Sequence, residues 1–441
     1  MKYSARTKRI AFTLGILLVF APGLRAQPAD RHPLSLAEAL AIAKKQNVEV
    51  MVARLQVLES RQATHIARSA LLPQANLELQ TFITRFDVQS ISGGDKVSAL
   101  GPYQVLQGGP GFSQVLFDLG AVRRLQTAQQ SETTTQNNRK TTEQTVEQGV
   151  ITQYLTIDRA SAELDRANAR EAIAQRLETE AEHLQAAGVG TSIDTLRARY
   201  ELEAERQRVI DAQAAYKIAR QRLIELLELS PDEEIETAPL TNITNVEPAS
   251  RADIETALHN RPEEAAAKSE VRRAELQKKA AFAQHFPTVQ FSGSYDQQGR
   301  TFGGMIPAYT YQVTASLPIF TSGRIRAENK NAEYEKERAL ETQHGIESAI
   351  SYQVVAARTN LDASRNALEV AKIATALAHE ELIQAEHRFN VGVANNIELV
   401  TAQQSLTAAD ANEIASDYLY RQATVDTYRA LGKIEEFGAQ P

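Results

Sequence analysis

From Ile346 the apolar positions of the chain recur at intervals of four, then alternately of three and four. The series runs Ile346, Ile350, Val354, Ala357, Leu361, Ser364, Leu368, Ala371, Thr375, Ala378, Leu382, Ala385, Phe389. That is a heptad spacing sustained for six heptads, the period of a coiled coil. No proline lies between Gly323 and Asn390, and Gly345 is the only interior glycine. The pattern predicts a helix over about 323–390, a rod about 100 Å long at about 1.5 Å per residue. One seam position is mostly small and the other mostly larger, which lets helices interdigitate closely. The alanine-rich segment 121–186 predicts a second rod, over about 120–187. Shorter return helices are expected over about 192–228 and 395–431. The latter carries Ile397, Val400, Ala411, Ile414, Tyr418, Val425 and Tyr428 on a similar stripe.

Elsewhere the period changes to two, the signature of strands. In "TVQFSGSY", Val289, Phe291, Gly293 and Tyr295 share one face; in "YTYQVTASL", Tyr309, Tyr311, Val313, Ala315 and Leu317 do. These predict strands over about 288–299 and 309–320. In the first half Ala75, Leu77 and Leu79 alternate after Pro73, and strands are expected over about 74–88 and 103–117. A proline between helix and strand fits its bias against helix in the residue before it.

The same order of elements is written twice. "LSLAEALAIAKKQNVEV" opens the first half and "RADIETALHNRPEEAAA" the second, so that Leu36, Ala39 and Leu40 fall against Ile254, Ala257 and Leu258. "LLPQANLEL" matches "HFPTVQFSG", and "VLFDLGAVR" matches "PIFTSGRIR". Two glycine turns, "AGVGTSIDTL" at 187–196 and "VGVANNIELV" at 391–400, each precede an acid and a new apolar run. Four landmarks in one order define two tandem repeats, 27–228 and 253–432. The segment 229–252 between them has the Pro, Asp and Asn content of a loop, and 433–441 forms a tail.

Composition narrows the function. Of 441 residues none is cysteine, which excludes disulfides, thiolate metal sites and a cysteine nucleophile. Residues 1–26 have the form of a secretory signal peptide: Lys2, Arg6, Lys8 and Arg9, an apolar run from Ile10 to Phe20, and Ala26 before Gln27. Its removal takes five basic residues and no acid, so the net charge goes from −7 to −12, against nucleic acid as a partner. No later apolar run is long enough for a transmembrane helix, so an exported chain of this kind enters a membrane only through β-structure. Catalytic motifs are missing. His379-Glu380 begins a zinc motif whose second histidine position is Ile383. The reading is therefore no enzyme, no cofactor and no metal.

Two architectures satisfy the rods. One is a periplasmic structural coiled coil without a pore, which leaves the strands unexplained. The other uses them: four strands are too few to close a membrane barrel, so several chains must share one, and all their helices then form a second tube on its end. The whole layout resembles the TolC family of outer-membrane efflux proteins from Leu34 to about Gly432. The resemblance rests on "LAEAL", "SALLPQ", "VLFDLG", "RPE" at 261–263, "PIFTSGR" and the twin glycine turns, in order and behind a signal peptide. It implies a mainly α fold with membrane β. Three protomers would form a 12-stranded barrel in the outer membrane, stacked on a long α-helical barrel in the periplasm. An equatorial region built from 229–252 and the chain ends would wrap the middle.

The resemblance also implies a function: a passive exit duct of a tripartite efflux pump or type I secretion system. Its partners would be two further copies of the chain, a periplasmic adaptor, an inner-membrane pump of the RND or ABC type, and outer-membrane lipid. The glycine turns would be the periplasmic tips. Asp194 and Glu398 match acids at the family's aperture, while Ala187, Gly188, Val189 and Gly190, with Asn390, Val391, Gly392 and Val393, would meet the adaptor. As helix-start acids, Asp194 and Glu398 would in any case offset a helix dipole by about 0.3–1 kcal/mol. Two departures stand out: Ala394 where some members place an arginine that locks the tips, and Thr401 where they place a second acid.

Overall fold

The computed structural model describes residues 33–86, 100–238, 252–391, 393 and 396–438. The leader at 1–26, most of the linker, and Gly392 and Ala394 at the second tip lie outside the described residues. The first repeat holds α1 (Leu36–Gln46), α2 (Val48–Ser69), β1 (Gln74–Phe86), β2 (Leu100–Phe117), α3 (Leu119–Ala186) and α4 (Ser192–Leu226). The second holds α5 (Ala252–Asn260), α6 (Pro262–Ala283), β3 (Thr288–Gly299), β4 (Ile306–Ser316), α7 (Arg324–Asn390) and α8 (Asn396–Ala430). A short α9 (Ile434–Gly438) follows where only a tail was expected.

Each rod carries two shorter helices stacked end to end along its side. On α3 these are α4 and α2. The side chain of Asn47 accepts from Glu49 N–H at 3.0 Å to cap α2, and its Nδ2 donates to Leu226 O at 3.1 Å, where α4 ends. On α7 the pair is α8 and α6. There Gly432 turns back at φ +71°, and a Cβ on it would sit 3.0–3.1 Å from Asn260 and Arg261. The predicted seam of α7 is the one that packs: from Ile350 to Ala385 its members are buried but for the half-buried Ser364 and Thr375. On α8 the stripe shifts along its length. Val425 is buried and Tyr418 and Tyr428 flank it, but Ile397 and Ala411 are exposed. Near the tip the contact is made by Leu399, Ala402 and Leu406 instead. The observed contacts follow spacings of three and four, and the expected stripe starts one face away from them at Ile397 and Val400.

The core is thickest midway along the rods. Leu36, Ala39, Leu40 and Ala43 of α1 pack on Val150, Ile151, Tyr154 and Leu155 of α3, with Ile235, Ile434 and Phe437 closing over them. The second repeat does the same with Ala257 against Ile350, Val354 and Ala357. Ala39 and Ala257, aligned by sequence, are both fully buried. The described part of the linker is not bare loop: Leu34 bridges Thr237, and Leu34 N–H donates to Glu236 O at 2.7 Å. The Tyr154 hydroxyl reaches Ala238 O at 2.6 Å and Leu34 O at 2.8 Å. Burial pushes that hydroxyl's pKa up to about 12.

The four strands form one antiparallel sheet in the order β1-β2-β3-β4. Register pairs Ala75 with Phe112, Phe112 with Gly293, and Gly293 with Tyr311, so these residues share a face. That face carries Leu77, Leu79 and Ile83 of β1, Phe291 and Tyr295 of β3, and Tyr309 and Val313 of β4. The opposite face carries Gln74, Asn76, Glu78 and Gln80, then Gln107, Ser292, Ser294 and Asp296, then Thr310, Gln312 and Thr314. Gly293 is required there: a Cβ would lie 2.6 Å from the Tyr311 ring and 2.7 Å from that of Phe112. β4 stops at Ser316, because Pro318 lacks the N–H that would continue the ladder. Leu317 therefore lies outside the strand whose face it was expected to share.

Candidate functional site: the outer strand face and the hairpin tips

Among the described residues, nothing packs against the apolar face of the sheet. Leu77 is 82% exposed, Tyr309 71% and Val313 64%. Among the described residues, β1 and β4 each leave one edge unpaired. In water such a sheet is an aggregation hazard on two counts, the apolar surface and the open edges. In a closed membrane barrel both are resolved. The polar face is wired inward: Gln107 Nε2 donates to Asp296 Oδ2 at 3.0 Å, and Ser294 Oγ donates to the same oxygen at 2.7 Å. The sheet thus has a lipid-compatible side and a water-compatible side.

At the far end of the rods, α3 and α4 are joined by a tight reversal. Val189 and Gly190 N–H both donate to Leu184 O, at 3.0 and 2.9 Å, while Gly188 sits at φ +75°. That left-handed conformation is the one glycine adopts without steric cost. Thr191 caps α4, and the Asp194 carboxylate accepts from Thr191 N–H at 3.3 Å and from its hydroxyl at 2.6 Å. The second reversal repeats the scheme: Val391 N–H donates to His387 O and Val393 N–H to Arg388 O at 3.0 Å. Glu398 there accepts from Arg388 Nε at 2.8 Å. Asp194 and Glu398 each engage a partner within their own hairpin. Thr401 bonds back to Ile397 O at 2.8 Å in the ordinary way of a helical threonine.

Both tips lie at one end, since Arg176 of α3 meets Glu386 of α7 at 2.9 Å. A buried ionic cluster joins the hairpins just behind them. Arg170 of α3 reaches Glu205 of α4 at 3.3 Å and Asp410 of α8 at 3.9 Å, Arg166 reaches Asp410 at 3.5 Å, and Arg208 also pairs with Glu205. Glu205 is 3% exposed and Asp410 4%. These two acids are therefore buried within their ion pairs. A signal was present: Glu205 stands between Leu202 and Val209 at seam spacing, and Asp410 stands four residues after Leu406.

No helix among the described residues is long and apolar enough to cross a membrane. The family described as "Outer membrane efflux protein" matches residues 39–228 and 254–433, both repeats of the chain. The chain belongs to that family. Membership makes it an outer-membrane efflux channel. Outer membrane protein TolC of Vibrio cholerae is 24% identical over 425 residues, covering 91% of each chain. Outer membrane protein OprJ of Pseudomonas aeruginosa is 27% identical over 179 residues, 40% of this chain and 37% of OprJ. The crystal structure of the outer membrane protein VceC of Vibrio cholerae superposes with a TM-score of 0.78 at 16% identity, covering 90% of this chain and 96% of that one. This efflux-family chain shares their mainly helical fold, with its membrane sheet at one end of the rods and its glycine tips at the other.

Proposed function

We propose that three copies of the chain close a 12-stranded outer-membrane barrel and, below it, a helical tunnel across the periplasm. This duct passively conducts substrates delivered by an inner-membrane pump of the RND or ABC type through a periplasmic adaptor. One observation carries the reading: a four-stranded sheet with two free edges, an unpartnered apolar face and a polar opposite face, each strand running into a rod or its stacked partner. Closure with further copies pairs the edges and gives the apolar face to lipid. The experiment is to express the full chain in a Gram-negative host and determine its native mass in mild detergent. Three chains in the outer-membrane fraction are expected. A soluble periplasmic species would overturn the duct and restore the poreless coiled coil.

The tips supply the regulated end. We assign Ala187–Gly190 and Asn390–Val393, the two turns that join the helices of each hairpin, to contact with the adaptor. Asp194 and Glu398 lie one turn behind them. Threefold symmetry makes six carboxylates in a narrow ring, and Arg388 opposes half of that charge. Asp194→Asn with Glu398→Gln is expected to raise the concentration of a trivalent cation needed to block the pore from the periplasmic side at least tenfold in planar bilayers. Unchanged block would remove both residues from the aperture.

A further inference from the structure

The pump-and-duct reading leaves one feature of the membrane end unused. Between α6 and α7, next to the sheet, lies an open cavity of about 860 Å³. Its walls carry five Lys or Arg side chains against two Glu. Lys278 and Lys330 converge on Glu333, at 3.1 and 2.6 Å, and Lys336 meets Glu275 at 3.3 Å. Lys279 and Arg326 line the same cavity and pair with no acid among the described residues. The cavity therefore holds a surplus of positive charge that its own acids do not cancel. Phe282, 58% exposed, and His285 also line it with rings 5.4 Å apart, and Phe286 lies beside the cavity, edge-on to Phe282 at 6.0 Å.

Position narrows what such a pocket can hold. Phe286 is two residues before β3, and Arg326 is the third residue of α7. At about 1.5 Å per helical residue Lys279 is about 6 Å from the end of α6 and Arg326 about 3 Å from the start of α7. With the short links to the strands, both stand just beyond the sheet, at the level of the headgroup layer, about 5–8 Å deep, of a bilayer whose hydrocarbon core ends there. Exposed Ile319 and Phe320 stand at the same level, between β4 and α7. The opposite face of α6, with Ala280, Ala281 and Gln284, is sunk between α3 and α7 in a second cavity of about 620 Å³. The two cavities lie on opposite faces of α6, so in a closed ring one faces the lumen and the other outward; we infer that the basic one, bordered by the exposed Phe282, faces outward.

We propose that this pocket binds the phosphodiester headgroup of an anionic glycerophospholipid of the periplasmic leaflet, one per protomer. Lys279 and Arg326 meet the phosphate, and Phe282 and Phe286 meet the first methylenes of the acyl chains. This inference rests on the trimeric reading above. The test uses the trimer in mild detergent, incubated with phosphatidylglycerol or phosphatidylcholine and read by native mass spectrometry. Three retained phosphatidylglycerols and no retained phosphatidylcholine are expected for the unaltered protein. Lys279→Glu with Arg326→Glu is expected to weaken retention about 30-fold, at about a tenfold loss per 1.4 kcal/mol and about 1 kcal/mol per basic residue. The neutral pair Lys279→Gln with Arg326→Gln serves if the charge-reversed trimer does not assemble. Arg197→Glu at the tip is expected to change nothing. Equal retention by altered and unaltered trimers overturns the site, as does displacement of the lipid by inorganic phosphate, which would make it a plain anion site. Absence of any trimer in the unaltered protein would instead overturn the duct itself.

Discussion

Val313→Arg is expected to cut the yield of outer-membrane trimer at least tenfold, while Gln312→Arg, its immediate neighbour, leaves that yield within twofold. The two positions have the same strand, depth and change of charge. They differ in face: Val313 stands opposite Phe291 on the exposed apolar side, and Gln312 stands opposite Ser292 on the polar side. Arginine on the lipid face of a barrel costs about 2–4 kcal/mol near the midplane and far less in the lumen. In the proposed trimer that cost is repeated three times. In the lumen the same three guanidiniums are hydrated and shift ion selectivity toward anions, which bilayer conductance would report. Quantification of the native oligomer extracted from outer membranes, against total chain, decides the matter. Equal losses at both positions would mean that the sheet has no lipid face, and a barrel shared among chains could not stand.

Those faces were legible because a half-buried strand has a period of two and leaves no room for ambiguity once one face is lipid. The rods were legible for the same kind of reason: the α7 seam from Ile346 to Phe389 carries its period in the sequence, and it buries as written. The duplication was legible because each repeat must solve the same packing problem, and so places a small residue, Ala39 or Ala257, where α1 or α5 presses closest on its rod. Three things were not legible. The α8 stripe was expected through Ile397, Val400 and Ala411, whereas the tip half packs through Leu399, Ala402 and Leu406. The end-to-end junctions depend on residues distant in sequence, such as Asn47 with Leu226, and no local pattern announces them. The partners of the tip acids were also hidden. Glu398 lies ten residues from Arg388 across a reversal, so their pairing appears only once the turn is built. It halves the charge that two bare acids per chain would suggest, and leaves Asp194 engaged with the cap of its own helix.

The junction between α6 and α8 has the largest electrostatic consequence. Glu263 lies between Arg261 and Arg429: Arg261 Nη2 is 3.2 Å from Glu263 Oε1, and Arg429 Nη2 approaches the same oxygen at 2.5 Å. Arg429 also donates to Gln144 Oε1 of α3 at 3.0 Å, so one carboxylate holds the start of α6, the end of α8 and the middle of a rod together. Burial pushes the Glu263 pKa up, but the hydrogen bond from Arg261 and the charge of Arg429 outweigh it and hold it below the ordinary glutamate value. A folded-state pKa below the unfolded one means that ionised Glu263 stabilises the fold. That contribution is complete above the unfolded value of about 4.3 and is lost as pH falls through the lower folded value. Glu263→Gln removes the charge and leaves two nearly buried guanidiniums facing each other, a change that costs about 3–5 kcal/mol. The expected result is a trimer that dissociates at clearly lower temperature near neutral pH. The unaltered protein should lose stability as pH is lowered below about 4.3, and the variant should lose less over that range, because this carboxylate no longer titrates. Thermal dissociation of the two proteins, followed at a series of pH values between 7 and 3, measures both quantities. Coincident curves would show that the Arg261–Glu263–Arg429 junction carries no net stability, and that packing around Gly432 and Asn260 alone aligns α8 with α6.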